Sequence, residues 1–383
     1  MTIKPKVLLT ANTSWYLYNF RLQLLYDIAE NGYEVECVAP IDKYSKLLIK
    51  KGFNINEWKL DRKSTNPFSE LMSVYSLYKI YKNKKPLIVH HFTIKACIYG
   101  TISARLLNTR KILNAFTGLG HLFITKNILK KILFNLIKPF LNFILISKKS
   151  KIILQNEDDK LSLYCLGIIK SKGVSVIRGS GVNINFFKPS KIEKKEFNKP
   201  FQLFFPSRLI KEKGILELLK ACDKLWNKSY NFELLIAGAI DKGNPSSLNE
   251  NEYQLLKKNK LIKLLGHVDN IKEIYENVDL VILPSWREGL SRILIEASAM
   301  EKPIITTNTP GCRDIIEHEI NGLLVNINSP EEIERAIIMI MRNFSIAQKY
   351  GKNARKNVLQ NFDVSIINKL TLEHYKISSN KNI

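Results

Sequence analysis

The sequence lacks the cysteine pattern of a disulfide-stapled protein or of a zinc site. Its five cysteines are odd in number and none is spaced CxxC from another; they occur at positions 37, 97, 165, 222 and 312. Small secreted frameworks carry even sets of cysteines, and structural zinc sites carry closely spaced pairs. We therefore expect reduced thiols in the core of a cytoplasmic protein.

Long apolar runs are lacking as well. No stretch of about eighteen uninterrupted apolar residues occurs, and a helix that crosses a bilayer needs about 20 mostly apolar residues. The apolar run that follows Lys6 is too short for the hydrophobic part of a secretory signal peptide. With 45% hydrophobic residues and a mean hydropathy of −0.10, the chain is expected to be soluble or bound to a membrane surface.

Acidic residues are scarce: Asp and Glu number 35 against 59 Lys and Arg, so the formal net charge is +24. Such a charge suits nucleic acid, an anionic membrane surface or a polyanionic substrate as partner. Zinc-finger spacing, a helix-turn-helix pattern and interleaved aromatic and basic repeats are absent from the sequence. We therefore expect no nucleic-acid partner, and a basic nucleic-acid-binding protein is the less favoured alternative.

What the sequence does contain is an alternation of apolar strands and amphipathic helices. A strand over Lys6–Ala11, a loop over Asn12–Tyr18, a helix over Phe20–Glu30 and a strand over Tyr33–Ala39 predict a βαβ unit. Such units predict a parallel, doubly wound sheet, whose ligands bind at the carboxyl ends of its strands. At 383 residues the chain is long enough for two such domains.

Two segments of the first half suggest a cofactor at first sight but do not predict one. His90 and His91 are neighbours on a predicted strand, and adjacent side chains on a strand point to opposite faces, so a shared metal ion is not expected. The glycine-rich segment from Thr117 to His121 has no GxGxxG pattern, so it does not predict a dinucleotide site.

The second half is organised around residues 280–300. The apolar run Leu280–Leu283 predicts a buried strand, and Leu290–Met300 has the composition of a helix. Backbone N–H groups at such a strand–loop–helix junction bind anions, phosphate above all. Glu288 in the loop and Glu296 in the helix would then accept hydrogen bonds from sugar hydroxyls. The alternative is an ordinary βα unit with one surface and one packed glutamate.

A second motif, residues 207–214, follows a predicted strand over Phe201–Phe205 and contains Arg208 and Lys213. An arginine presents a planar fork to two phosphate oxygens, and a lysine presents a mobile point charge. Both residue types therefore suit the recognition of a diphosphate.

Three motifs together resemble the carboxyl-terminal half of the members of a large enzyme family. They are residues 207–214, residues 280–300 with their two glutamates, and residues 309–314 leading to residues 321–325. The family is that of the retaining glycosyltransferases of GT-B fold, family 4, and the resemblance extends over roughly residues 200–360.

The resemblance implies an α/β, GT-B architecture, in which two Rossmann-like, doubly wound parallel-sheet domains face a central cleft. The domains are expected at residues 1–186, which would bind the acceptor, and at residues 187–360, which would bind the nucleotide-sugar. Residues 361–383 are expected to cross back to the first domain.

Features of the first half resemble the subgroup that acts on undecaprenyl-diphosphate-linked sugars, N-acetylgalactosaminyltransferases among them. These features are Asn19-Phe20-Arg21, the loop that carries Lys95, and residues 116–120. The resemblance implies that Arg21, Lys95, Thr117 and Gly118 contact substrate. Many members of the subgroup carry histidine where this chain has Thr117, so no catalytic histidine is carried over.

The activity that the resemblance implies is that of a retaining hexosyltransferase. It would move a hexose or an N-acetylhexosamine from a UDP-sugar to an undecaprenyl-diphosphate-linked saccharide, in cell-surface polysaccharide or glycan biosynthesis. No metal ion or other cofactor is expected, because basic groups take the place of the cation. The alternative enzyme is a nucleotide-sugar epimerase or hydrolase of the same fold.

The catalytic residues that we expect are Glu288, Arg208 and Lys213. The two basic side chains would stabilise the departing diphosphate, where charge develops, and Glu288 would hold the donor sugar or its phosphates. The substrate-binding residues expected in this half are Glu296, which would bind the ribose, and Gly289, Leu290, Ser291, Gly266 and His267.

Residues 123–151 combine a broad apolar face with many lysines and contain no acidic residue. This combination is typical of a helix that lies in a membrane interface, where ammonium groups meet anionic lipid. We therefore expect peripheral attachment to the cytoplasmic face of the plasma membrane. The alternative is a buried helix pair with a solvated lysine edge.

Overall fold

The computed structural model describes residues 4–62, 64, 66–118, 138–139, 141–169, 173–190, 200–241 and 244–376. The chain forms two compact units, residues 1–180 with 365–383 and residues 181–364. Each unit is built on one sheet, and every pairing between its strands is parallel. The predicted pair of parallel-sheet α/β domains is confirmed.

The first unit contains a seven-stranded sheet in the order β3-β2-β1-β4-β5-β6-β7. Its strands are β1 Lys6–Ala11, β2 Glu34–Ala39, β3 Ile55–Glu57, β4 Ile88–Phe92, β5 Lys111–Ala115, β6 Ser150–Leu154 and β7 Val174–Val176. Its helices are α1 Ser14–Glu30, α2 Lys43–Lys50, α3 Pro67–Lys84, α4 Ile94–Leu106 and α5 Glu157–Cys165, together with the carboxyl-terminal helix described below.

This sheet is buried on both faces, which explains why its strands are nearly continuous apolar runs. Val7 and Leu9 of β1 pack into one apolar cluster, whereas Leu8 between them packs into another. Alternate side chains of a strand point to opposite faces, and helices cover both faces of a parallel sheet. Polar side chains inside this sheet, such as His91 and Asn114, are paired with each other.

Helix α1 begins at Ser14, whereas the sequence predicted a loop up to Tyr18. Thr13 is its N-cap residue, and its hydroxyl accepts a hydrogen bond from the Tyr16 N–H at 3.1 Å. This bond satisfies one of the N–H groups that the first turn of a helix leaves without a partner. The predicted loop was wrong because a run of aromatic residues obscured the helical periodicity of Leu17 and Arg21, which are buried.

The second unit contains a six-stranded sheet in the order β10-β9-β8-β11-β12-β13. Its strands are β8 Phe201–Phe205, β9 Phe232–Ala237, β10 Ile262–Gly266, β11 Leu280–Leu283, β12 Ile304–Thr307 and β13 Leu323–Val325. Its helices are α6 Ile215–Asn227, α7 Glu250–Lys258, α8 Ile271–Asn277, α9 Arg292–Ala299, α10 Pro330–Arg342 and α11 Phe344–Asn361.

The position of β11 in this sheet places two sequence motifs side by side. β11 pairs with β8, and Leu280 is in register with Leu203. Parallel neighbours end at the same edge of a sheet, so the loops that follow β8 and β11 leave that edge next to each other. These loops carry residues 207–214 and 284–291.

The last helix, α12 Val364–Glu373, lies mostly in the first unit. Asn368 donates a hydrogen bond to the Asp27 carboxylate of α1 at 2.6 Å. Tyr375, which follows α12, is buried, and its hydroxyl lies 2.7 Å from His90 Nδ1. Ile367 of α12 and Tyr375 are therefore part of the core of the first unit.

Most of the predicted membrane segment, residues 123–151, lies outside the described residues. Of its described part, Leu141 and Leu145 pack in an apolar cluster of the first unit, whereas Phe143 is exposed. None of the helices that the structure describes is both long enough and apolar enough to cross a membrane.

Candidate functional site

The two loops at the edge of the second sheet meet through an ion pair between Lys213 and Glu288. Lys213 Nζ lies 2.5 Å from Glu288 Oε1, and the two side chains are only 16% and 13% exposed. Both residues were predicted to be catalytic, and the structure places them in direct contact. The contact itself was not predicted, although the strand order of a doubly wound sheet would have brought the two loops together.

The backbones of these loops are in unusually close contact. The hydroxyl of Ser285 and the N–H of Trp286 both donate to the Glu212 carbonyl, at 3.1 and 2.8 Å. Gly214 has φ +76°, and a Cβ on it would lie 2.0 Å from the Pro284 carbonyl oxygen. Only glycine fits such an approach, so residues 207–214 and the loop after β11 hold each other in one conformation.

The third sequence motif supports the turn that carries Glu288. A Cβ on Gly311 would lie 2.6 Å from the carbonyl oxygens of Glu288 and Gly289. The Gly311 N–H donates to the Asp314 carboxylate at 2.9 Å, and the Gly311 carbonyl accepts from the Ser291 N–H at 3.2 Å. Residues 309–314 therefore form a backbone support behind the turn, which the sequence analysis did not foresee.

The start of helix α9 carries an orphaned polar group. Ser291 is the N-cap residue, but its side chain makes no capping hydrogen bond. Its Oγ is buried and has no hydrogen-bond partner among the described residues. Buried hydroxyls are normally paired, and a helix start favours an anion. The predicted residues Gly289, Leu290 and Ser291 thus lead into a helix start that is suited to an anionic ligand.

Glu296, the second glutamate of the motif, is buried in α9 and accepts a hydrogen bond from Arg292 Nε at 2.7 Å. Burial raises the pKa of Glu296, and the Arg292 charge opposes that rise. A buried carboxylate that is held by one i,i+4 partner still has lone pairs for a second donor, such as a hydroxyl.

Cys312 lies in the same region but is not suited to act as a nucleophile. Burial raises its pKa to about 11, and the Glu288 carboxylate adds to the rise. A thiol with this pKa is protonated at neutral pH, and only the thiolate is a strong nucleophile.

Arg208, the other predicted catalytic cation, does not take part in the Lys213–Glu288 contact. Its Nη1 lies 2.6 Å from Asp241 Oδ2, and its side chain is 60% exposed. Asp241 was not predicted, because it follows β9 and only the fold brings it near the loop after β8. An exposed guanidinium can leave a carboxylate such as Asp241 and bind a phosphate instead at little cost in free energy. Contact of Arg208 with a phosphate stays a prediction.

The residues predicted to lie near the base, Gly266 and His267, are at the edge strand β10. β9 and β8 separate β10 from β11 in the sheet. Gly266 has φ +65° and open space around it, and His267 is exposed with Nε2 3.3 Å from Asp269. Their contact with a nucleotide also stays a prediction.

In the first unit, Arg21 is a buried cation. It is 4% exposed, and its guanidinium carbon lies 4.5 Å from the centroid of the Phe92 ring. Its Nε and Nη2 donate to the Tyr16 hydroxyl at 3.2 and 3.0 Å, and no carboxylate among the described residues pairs with it. Buried charges are normally paired, so this guanidinium is suited to an anion supplied by a ligand.

Lys95 is engaged inside the first unit. Its Nζ lies 2.7 Å from the Glu70 carboxylate and donates to the carbonyls of Ser64 and Asp61 at 2.8 and 3.2 Å. It therefore holds the loop before α3. Thr117 and Gly118 are half-buried at the end of the described stretch, and the residues that follow them, 119–137, lie outside it. Substrate contacts of Lys95, Thr117 and Gly118 stay predictions.

The adjacent histidines of β4 point to opposite faces. His90 contacts Tyr375, whereas His91 lies between Asn114 and Tyr81, with its ring nitrogens 2.7 and 3.0 Å from their oxygens. Within the described ranges, no group of three histidine, cysteine or acidic side chains could hold a metal ion.

Comparison with known proteins matches both halves of the chain to families of sugar-transferring enzymes. Residues 187–357 match the family described as glycosyl transferases group 1, and residues 6–156 match the one described as glycosyl transferase 4-like. The capsular polysaccharide biosynthesis glycosyltransferase CapM of Staphylococcus aureus is 30% identical over 308 residues, which is 78% of this chain and 79% of CapM.

A second relative is similar over almost the whole chain. It is the N,N'-diacetylbacillosaminyl-diphospho-undecaprenol α-1,3-N-acetylgalactosaminyltransferase of Campylobacter jejuni, which is 25% identical over 94% of this chain and 95% of its own length.

Two solved structures share the fold. A glycosyltransferase of Rickettsia africae superposes with a TM-score of 0.79 at 24% identity, over 99% of this chain and all of the other. The Anabaena protein HepE, solved with UDP, superposes with a TM-score of 0.76 at 18% identity, over 97% of this chain and 99% of the other.

Proposed function

The chain belongs to the group 1 glycosyltransferases of GT-B fold, and from this premise we propose that it transfers a hexose or N-acetylhexosamine from a UDP-sugar to an undecaprenyl-diphosphate-linked saccharide. The product would be a lipid-linked saccharide extended by one sugar, as cell-surface polysaccharide and glycan assembly require. The single observation that carries the proposal is the half-buried Lys213–Glu288 pair beside the start of α9.

This pair supports the binding of a donor whose leaving group is anionic. Lys213 contacts Glu288, which lies three residues before Ser291 at the start of α9, and Ser291 Oγ has no partner among the described residues. Pre-positioned donors of this kind stabilise charge that develops on a departing group. We infer that Lys213 and Arg208 contact the diphosphate, that Glu288 holds the donor sugar, and that Glu296 accepts a ribose hydroxyl.

The chemistry that we infer is a displacement on one face of the sugar. The bond between the anomeric carbon and the diphosphate oxygen breaks, the acceptor oxygen bonds to that carbon on the same face, and its proton passes to a diphosphate oxygen. Glu288 is engaged by Lys213, and Cys312 is protonated because its pKa is raised to about 11. Cys312 therefore does not compete as a covalent nucleophile. Glu288 is assigned to holding the donor sugar, and the configuration of the donor would be retained without a covalent intermediate.

Two observations support a lipid-diphosphate acceptor. The C. jejuni relative, similar over 94% of this chain, is named for a diphospho-undecaprenol acceptor. In the first unit, the buried Arg21 has no acidic partner among the described residues, and an acceptor phosphate would supply one. We propose that the protein acts as a peripheral protein at the cytoplasmic face of the plasma membrane, where such lipids carry their saccharides.

The proposal is tested by nucleotide release from a panel of UDP-, GDP- and dTDP-sugars, each with and without a lipid extract that contains undecaprenyl-diphosphate saccharides. We expect the nucleotide to be released from one UDP-sugar, and only when the lipid extract is present. Release or isomerisation that is independent of lipid would instead indicate a hydrolase or an epimerase.

A further inference from the structure

The outward face of α3 is apolar, which is the reverse of a normal surface helix. Phe68, Leu71, Met72 and Tyr75 are 72%, 63%, 48% and 48% exposed. They are spaced i, i+3, i+4 and i+7, so they form one stripe along the helix. Surface helices normally turn such a stripe towards the core, and a contiguous exposed apolar patch marks an interaction site.

The same stripe continues into basic residues. Lys79 and Lys82 follow Tyr75 on the exposed side of α3, and Lys79 Nζ lies 4.5 Å from the centroid of the Tyr75 ring. Glu70, the acidic residue of this helix, is engaged by Lys95 at 2.7 Å. We call residues 68, 71, 72, 75, 79 and 82 the α3 outer face; it is apolar at one end, basic at the other, and without an acidic side chain.

From this arrangement we propose that the α3 outer face docks onto an anionic lipid bilayer. Apolar side chains would enter the headgroup boundary, while the lysine methylenes lie on the surface and the ammonium groups meet lipid phosphates. A second copy of this chain fits less well, because an isologous contact would bury Lys79 and Lys82 of both copies against a face that offers no acidic partner. The proposal rests on the proposed function, because an enzyme that acts on a lipid-linked acceptor must reach that acceptor at a membrane.

Binding to lipid vesicles tests the proposal without any donor or acceptor sugar. The full chain is sedimented with phosphatidylcholine vesicles, with and without phosphatidylglycerol, at increasing salt. We expect binding that needs the anionic lipid and weakens as salt rises. Equal binding to neutral vesicles, or no binding to either kind, would overturn the proposal.

Paired variants locate the surface. Phe68→Ser with Leu71→Ser should weaken binding to the anionic vesicles at least about tenfold. The matched control is Phe344→Ser with Leu255→Ser, since Phe344 and Leu255 are 72% and 67% exposed in the second unit. Both double variants leave the net charge unchanged. Wild-type binding by the α3 variant, or an equal loss in the control, would contradict the assignment.

Activity separates this proposal from the proposed function. The α3 variant should transfer sugar normally to a detergent-dispersed acceptor and poorly to the same acceptor in vesicles. If no transfer occurs under any condition, the proposed function fails while the vesicle binding still decides the docking surface. If the variant binds vesicles normally yet transfers poorly in both assays, the docking surface is refuted while the proposed function stands.

Discussion

At the scale of single residues, the proposed donor site depends on the Lys213–Glu288 pair. Both side chains are mostly shielded from solvent, so each charge relies on the other or on a ligand for compensation. A bound ligand could take the place of either partner in this ion pair. Such a pair suits a site that binds an anionic donor and releases an anionic product.

The first prediction concerns Lys213→Ala. Removing the ammonium group takes one stabilising charge from the departing diphosphate and leaves Glu288 without its partner, so kcat should fall at least about 100-fold. Steady-state nucleotide release measures this. The control is Lys224→Ala, which breaks an exposed ion pair of similar length, 2.7 Å to Glu331. Comparable activity in both variants would contradict the role of Lys213.

The second prediction concerns Gly311, the glycine behind the turn that carries Glu288. Gly311→Ala places a methyl group on the carbonyls of Glu288 and Gly289, whereas Gly32→Ala places it in open space; the two glycines have φ +76° and +86°. Both variants should lose about 1 kcal/mol of stability because alanine disfavours a positive φ, but only Gly311→Ala should lose further stability and activity, because its methyl group would lie 2.6 Å from backbone carbonyl oxygens. Urea unfolding and turnover measure the two effects, and full activity in Gly311→Ala would refute the supporting role.

At this scale the sequence predicts residue types better than residue contacts. Lys213, Glu288 and Glu296 were identified from their motifs, and the structure places the first two together. The pairings of Arg208 with Asp241 and of Lys95 with Glu70 were not predicted, because each joins residues from different elements. The orphaned hydroxyl of Ser291 is likewise invisible without coordinates.

At the scale of elements, β4 is tied to its neighbours by a buried polar chain. The His91 ring nitrogens contact the Asn114 side chain of β5 and the Tyr81 hydroxyl of α3, and Tyr81 contacts the Thr10 hydroxyl of β1 at 2.7 Å. Burial lowers the pKa of His91 to about 4, so the ring is neutral at pH 7. With Asn114 Oδ1 as acceptor, its proton lies on Nδ1.

The third prediction is a loss of stability in acid. Burial lowers the pKa of His91 to about 4 from 6.5. Between these pH values the His91 ring is therefore protonated in the unfolded chain and neutral in the folded chain. Stability of the first unit should therefore fall as pH drops from 6.5 towards 4, and His91 should contribute up to about 1.4 kcal/mol per pH unit of this fall. The buried His90, whose pKa is also lowered by burial, adds to the same slope. Hydrogen exchange of peptides that cover β4 measures it.

His91→Gln provides the comparison, because glutamine does not titrate. The variant should be less stable at pH 7, and its stability should depend less on pH between 6.5 and 4. An unchanged pH dependence would show that His91 is not the group responsible.

The fourth prediction concerns the docking of the last helix. Tyr375→Phe removes the hydroxyl that contacts His90 Nδ1 and leaves a buried nitrogen without a partner, which should destabilise the first unit by about 1–3 kcal/mol. Faster hydrogen exchange in α12 would report it. Tyr164→Phe, at an exposed tyrosine of α5, should have no effect; equal behaviour of the two variants would argue against the contact.

Parallel pairing in a doubly wound sheet could be predicted because βαβ alternation leaves few topologies, whereas the strand order was not predicted. The start of α1 and the outward apolar face of α3 could not. A capping threonine is a weak signal beside several aromatic residues, and a helical stripe in a sequence does not reveal whether it faces the core or the solvent.

At the scale of the whole molecule, fold and family agree with the chemistry of the site. Two parallel-sheet units of GT-B type carry a helix start that is suited to an anion in one unit and, in the other, a buried arginine that no carboxylate among the described residues pairs with. A net charge of +24 suits a donor, an acceptor and a membrane surface that are all anionic.

The most direct test of the central claim is the mass and anomeric configuration of the lipid product. The protein is incubated with the accepted UDP-sugar and purified undecaprenyl-diphosphate saccharide, and the lipid is analysed by mass spectrometry and glycosidase digestion. The account predicts a lipid-linked saccharide longer by one sugar, with the donor's configuration retained, and none with Glu288→Ala. Free sugar, an isomerised nucleotide-sugar or an unchanged lipid would contradict it.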